Sequence, residues 1–90
     1  MEFEWDPEKN RINQRKHGIP FEVAILVFDD ENRLEEYDIS HSDDEDRYSV
    51  IGMVGKLLYV VCTYRTENKV RIISARLATK LEKRRYYGYC

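Results

Sequence analysis

Three stretches in the second half of the chain, 47–54, 57–66 and 69–77, are rich in β-branched and aromatic residues and are separated by short polar breaks. Such side chains fit a pleated surface, so each stretch reads as a strand. Gly55-Lys56 and Glu67-Asn68 form the breaks, short enough to join antiparallel neighbours. A further stretch, 33–39, precedes them across an acidic loop, 40–46. The pattern predicts a four-stranded antiparallel meander. At the start of the chain, Phe3-Glu4-Trp5 alternates as a short extra strand does.

Helices flank this run. Asp6 then Pro7 places a capping oxygen before the residue best suited to the first helical position. The helix should end at Lys16-His17-Gly18, where glycine can turn left-handed. Pro20 opens a second helix, in which Phe21, Ala24, Ile25 and Phe28 recur at helical spacing. Val23, Leu26 and Val27 fill its other faces, so the expectation is a deeply buried helix or else a strand. Thr79-x-x-Glu82 is a capping box at the head of a C-terminal helix. Two helices before the strands and one after them predict an α+β fold, a single domain over residues 1–90 with helices on one side of the sheet.

Charge changes the picture more than length does. Residues 1–28 carry four basic and five acidic side chains, a balance of −1. Residues 29–46 carry one and ten, a balance of −9, and residues 47–90 carry ten and two, a balance of +8. This segregation predicts a cationic working surface apart from an acidic element. Cys62 lies among valines and reads as a small core residue, and with Cys90 it fits neither a disulfide framework nor a metal-ligand spacing. Met1-Glu2-Phe3-Glu4 lacks a leader pattern and no apolar run reaches the ~20 residues of a spanning helix, so the expectation is a cytoplasmic protein without membrane contact.

Arg65, Arg71 and Arg76 punctuate the last two strands. A guanidinium is always charged and costly to bury alone, so these side chains either pair internally or face an anion. The second reading is favoured. Strict alternation sets Val70, Ile72, Ser74 and Arg76 on one face and Arg71, Ile73 and Ala75 on the other, so Arg71 and Arg76 share a face only if a bulge or twist re-aims one of them.

His17 and Lys16 sit where a helix dipole favours cations, and an imidazole near a basic sheet could also exchange a proton. Glu45, two residues before Arg47, could act as a base or as an arginine positioner. With Asp43, Asp44 and Asp46 it lacks the glycine and spacing of a calcium loop, so no metal is expected. Among seven tyrosines, Tyr86 lies four residues after Glu82, on one helical face, beside Lys83, Arg84 and Arg85.

Taken in order, Phe3-x-Trp5-Asp6, Asn13-x-x-Lys16-His17-Gly18-Ile19-x-Phe21 with Ala24 and Phe28, Glu45-x-Arg47 with Gly52, and Arg71-Ile72-Ile73-Ser74-Ala75-Arg76-x-Ala78-x-x-x-Glu82-x-x-x-Tyr86 resemble the BrnT family of toxins from BrnT/BrnA-type toxin–antitoxin modules. The likeness runs from residue 3 to residue 86. It implies a RelE-like fold and metal-independent cleavage of cellular RNA without a cofactor. It implies a BrnA-like antitoxin that neutralises the toxin, with DNA contacted only through that antitoxin. The residues that match the family pattern are Lys16, His17, Glu45, Arg47, Arg71 and Arg76 as catalytic candidates, with Arg65 and Tyr86 as RNA-binding candidates. The rival reading is a non-catalytic basic module that binds RNA or an acidic protein partner.

Overall fold

Asp6 accepts a hydrogen bond from the Glu8 backbone N–H at 2.9 Å, and Pro7 begins the first helix behind it. The computed structural model describes residues 1–41 and 45–88. In chain order it comprises β1 (Glu2–Glu4), α1 (Pro7–His17), α2 (Phe21–Ala24) running on into a 3₁₀ turn (Ile25–Asp29), and β2 (Leu34–Tyr37). A short 3₁₀ turn, Ile39–His41, leads to β3 (Tyr48–Val54), β4 (Lys56–Thr66), β5 (Lys69–Leu77) and α3 (Lys80–Tyr87). Gly18, at φ 74°, ends α1 in the left-handed region, and its N–H donates to Gln14 O at 2.8 Å.

The sheet runs β1-β5-β4-β3-β2. Among the described residues it has five strands and is mixed, where the sequence predicted four antiparallel ones. β2 to β5 form the expected meander, and β1 adds a parallel strand, Phe3 opposite Val70 and Glu4 opposite Arg71. The alternation at Phe3-Glu4-Trp5 anticipates this strand to within one residue, but three residues are too few to say where in the sheet it pairs. The pairing is set by tertiary contacts: Phe3 packs on the core and lies 5.2 Å from Phe28, ring centre to ring centre.

The second helix also departs from expectation. It makes one α-turn and then tightens, because the residues that reach the sheet, Phe21, Ala24 and Val27, recur every third position. That is the period of a 3₁₀ helix. Val23 and Leu26 point outward, at 36% and 44% exposure, while Ile25 and Phe28 pack half-buried against the core, so the helix is buried on one side and not all round. Phe21, Ala24 and Val27 cover Val50, Leu58, Val60, Cys62, Val70 and Ile72, each fully or nearly fully buried. Each large side chain so buried contributes roughly 1.5–3 kcal/mol. Gly52 admits the tightened turn: a Cβ there would lie 2.7 Å from Val27 Cβ and 3.0 Å from its carbonyl oxygen.

α3 lies on the other side of the sheet, where Ala78 joins Ile51 and Leu57, with Leu34, Tyr59 and Tyr86 packed around them. Helices therefore flank both faces, whereas the sequence placed them on one. The predicted capping box is present, with Thr79 N–H on Glu82 Oε1 at 2.8 Å and Glu82 N–H on Thr79 Oγ1 at 3.2 Å. α3 covers one end of its face and leaves the other open. Among the described residues no helix is long and apolar enough to cross a membrane.

Candidate nucleic-acid interface

The open face is organised by a bulge. Val61 pairs with Ser74 and Cys62 with Ile72, so Ile73 is the extra residue on β5. Before it, Val70 and Ile72 face the core, and after it Ala75 does, an odd number of residues further on. The phase reversal turns Ser74 and Arg76 to the side already occupied by Arg71. Strict alternation had separated the two arginines, and the bulge unites them. A second irregularity makes Arg65 the extra residue on β4.

The arginines are not bare. Arg71 Nη1 donates to Glu4 Oε2 at 2.8 Å, across the β1–β5 pairing that sets them opposite one another. The same carboxylate lies 3.7 Å from Arg65 and 3.8 Å from Lys69. Arg65 is also 3.6 Å from Glu45. Arg76 makes two bonds to Glu82, at 2.8 and 2.9 Å, and its guanidinium lies 4.1 Å over the Tyr59 ring. The expectation of an unpaired cationic platform is therefore corrected: each of Arg65, Arg71 and Arg76 has a carboxylate partner. The physical reason is desolvation at a partly covered sheet, which favours compensated charge. The side chains still keep between 30% and 45% of their surface in water. A guanidinium has five N–H donors, so each retains donors beyond those its carboxylate engages.

The carboxylates register this environment. The Arg71 hydrogen bond holds Glu4 below the usual carboxylate range. Burial alone would raise Glu82, but the Arg76 and Thr79 hydrogen bonds outweigh it and the net shift is downward.

Arg47 and Arg76 line a concavity of about 290 Å3 in this face. Tyr59, Val61, Ile73 and Ser74 form its floor and walls, and Asp38 stands on the Arg47 side. The Thr63 hydroxyl donates to Asp46 O at 2.7 Å, which anchors the entry to β3 against β4 and so places Glu45 and Arg47 by the arginines. Asp43 and Asp44, also weighed in the acidic loop, lie outside the described residues.

Lys16 and His17 are exposed in the last turn of α1. They follow Asn13 by three and four residues, the spacing of helical neighbours. Asn13 bolts α1 to the sheet edge: its amide N–H donates to Ala75 O at 2.8 Å and its Oδ1 accepts from Ala75 N–H at 3.1 Å. The two cations thus lie about one turn from β5. Among the described residues, no hydrogen bond or ion pair joins them to the arginines.

Tyr86 faces elsewhere. Its hydroxyl donates to Asp30 Oδ2 at 2.5 Å, and the same oxygen accepts from Met53 N–H at 2.8 Å. The bond to Asp30 pushes the phenol up to about 12. The tyrosine that borders the arginines is Tyr59, which sequence reasoning passed over, as it did Asp38 and Ser74. Tyr59 meets Arg76 through strand register, and Asp38 was one of ten acidic residues in its segment. Cys62 is a core residue as expected, its thiol pushed up to about 12 by burial.

Comparison with known proteins bears on this geometry. A crystal structure of the Brucella abortus ribonuclease toxin BrnT matches with a TM-score of 0.65 and 21% sequence identity, over 89% of this chain and 99% of that one. At that identity the likeness speaks for the fold. A comparison with curated proteins gives no match. The family model for the ribonuclease toxin BrnT of type II toxin–antitoxin systems matches residues 5–82. Because that match spans most of the sequence, from Trp5 through the capping box that carries Glu82, the chain belongs to the BrnT family of ribonuclease toxins of type II toxin–antitoxin systems.

Proposed function

We propose that this protein is a metal-independent endoribonuclease that cleaves cellular RNA on the open face of its sheet. The observation that carries the reading is the bulge at Ile73, which sets Arg71 and Arg76 on one side with Arg47 and Glu45 beside them. RNA brings its own nucleophile. The 2′-hydroxyl oxygen attacks the adjacent phosphorus, the bond to the 5′ oxygen breaks, and a 2′,3′-cyclic phosphate remains. The Glu45 carboxylate takes the 2′ proton, and the departing oxygen is protonated from solvent. Arg47, Arg71 and Arg76 hold the phosphate and stabilise the charge that builds on it. Arg65, Lys16 and His17 bind phosphates to either side. Tyr86 supports the site through α3, consistent with a hydroxyl committed to Asp30.

In this reading a BrnA-like antitoxin neutralises the protein by covering the arginine face, and any contact with DNA is made by that antitoxin. The test is incubation of the purified protein with a fluorescent RNA in excess EDTA. Fragments ending in 2′,3′-cyclic phosphate are expected, and a substrate with a 2′-deoxy residue at the cut should resist. RNA left intact by folded, antitoxin-free protein would overturn the reading. Salt-dependent binding without turnover would favour the non-catalytic basic module instead.

A further inference from the structure

A second concavity of about 290 Å3 lies between the β3–β4 turn and α3, and the cleavage reading makes no use of it. Met53, Leu57, Leu77, Ala78 and Tyr87 give it apolar walls, and the exposed Lys56 and Lys83 line it too. Met53, Leu77 and Tyr87 keep 38%, 48% and 54% of their surface in water, so much of that apolar area is still to be buried. Apolar surface gathered in one exposed place with a polar border marks an interaction site.

Charge separates this groove from the arginine face. There, Arg65, Arg71 and Arg76 each have a carboxylate partner. Here, the described lining residues include no carboxylate, and among the described residues no ion pair engages Lys56 or Lys83. An occupant that brings carboxylates therefore gains attraction without displacing an existing pair, whereas on the arginine face it competes with Glu4 and Glu82. Tyr87 is the one aromatic lining residue, so the groove offers no series of rings on which successive RNA bases could stack. The chemistry favours an acidic protein segment with apolar side chains over RNA.

We infer that this groove docks an acidic segment of the antitoxin, its apolar side chains against Met53 and Leu77 and its carboxylates facing Lys56 and Lys83. The identity of the occupant rests on the antitoxin reading given above. One helix borders both surfaces: Glu82 on α3 reaches Arg76, and its neighbour Lys83 lines this groove. An antitoxin anchored here is held close to the arginines it neutralises.

The experiment labels the lysines of the full chain with acetic anhydride, alone and in complex with its co-expressed antitoxin, and reads each site by mass spectrometry. Lys56 and Lys83 should react freely in the lone chain and be protected in the complex. The double variant Lys56→Glu, Lys83→Glu should bind the antitoxin about tenfold more weakly or worse, because two repulsions replace two attractions. High salt should narrow that difference. Leu77→Asp should weaken binding as well, and both variants, without antitoxin, should cleave RNA as the wild type does. Equal labelling in the complex, undiminished affinity in the folded variants, or failure of any complex to form would overturn the proposal. So would protection by RNA in place of the antitoxin, or protection that grows with the concentration of the lone chain, which would give the groove to a second copy. If the variants fail to fold, labelling of the wild-type complex alone decides. Binding is measured without turnover, so RNA left intact would overturn the ribonuclease reading and leave the docking site standing. Variants that cleave RNA and bind the antitoxin as tightly as the wild type would do the reverse.

Discussion

Arg76 and Glu82 meet fork to fork, Nη1 to Oε1 at 2.8 Å and Nη2 to Oε2 at 2.9 Å. Glu82 is only 8% exposed and also accepts from the Thr79 backbone. One carboxylate thus fastens α3 to the sheet, caps that helix and orients the guanidinium over Tyr59. Replacing Glu82 with alanine should cost about 2 kcal/mol, less than the roughly 3–5 kcal/mol of a fully buried pair, because Arg76 can still meet water. Chemical denaturation measures it. The net shift of Glu82 is downward, so its contribution is complete above the unfolded value of about 4.3 and is lost as pH falls through the lower folded value. The stability gap between wild type and Glu82→Gln should therefore be flat above about pH 5 and close in acid.

Arg71 and Arg76 should separate function from stability. Arg71→Ala leaves Glu4 with Arg65 and Lys69 nearby, so melting should stay close to wild type while RNA cleavage falls roughly 10²–10³-fold. Arg76→Ala should lose comparable activity and also stability, since it strands a nearly buried carboxylate. Single-turnover cleavage and thermal melts on both variants give the comparison. Undiminished cleavage in Arg71→Ala would move the chemistry away from the β1 end of the face.

Asn13 closes the outer edge of β5 beyond the reach of β1. Its side chain engages both backbone groups of Ala75 and, at 2.9 Å, the Ile19 carbonyl. Asn13→Ala should cost about 2–3 kcal/mol, because buried backbone groups lose their partners. Asn13→Asp should be worse, since a carboxylate cannot donate to the Ala75 and Ile19 carbonyl oxygens. Hydrogen exchange at the Ala75 amide reports the change directly.

Tyr86→Phe removes one hydrogen bond to Asp30 and keeps the ring against Ile51 and Leu57. A stability loss of about 1 kcal/mol is expected, with RNA cleavage within twofold of wild type. A large loss of cleavage in a stable Tyr86→Phe protein would return the hydroxyl to the site.

Much of this architecture is legible in the sequence, and what is not has identifiable causes. Asp6, Pro7, Gly18 and the Thr79–Glu82 box act on the backbone within a few residues of themselves, so their meaning is local and they mark helix ends correctly. The strands from Leu34 to Leu77 follow from composition and short turns. The partners of Arg65, Arg71 and Arg76 do not, because each depends on strand register or on a helix folded over the sheet. Glu4 reaches Arg71 across 67 positions and Asn13 reaches Ala75 across 62. The extra residue at Ile73 has no compositional mark either, since isoleucine belongs in any strand.

That extra residue makes the working surface a matter of parity. Straightening the bulge while keeping all four residues between Arg71 and Arg76 would rotate the rest of β5 by half a turn, drive the second guanidinium toward the interior and bring Ala75 out to solvent. Removing the extra residue together with the bulge would instead leave an even spacing and keep both arginines on one side. Exchanging either arginine removes a single donor group. Losing the bulge at constant length inverts everything downstream of it, α3 included, so the match between an odd spacing and one extra residue is a stricter requirement than the identity of anything between the two arginines.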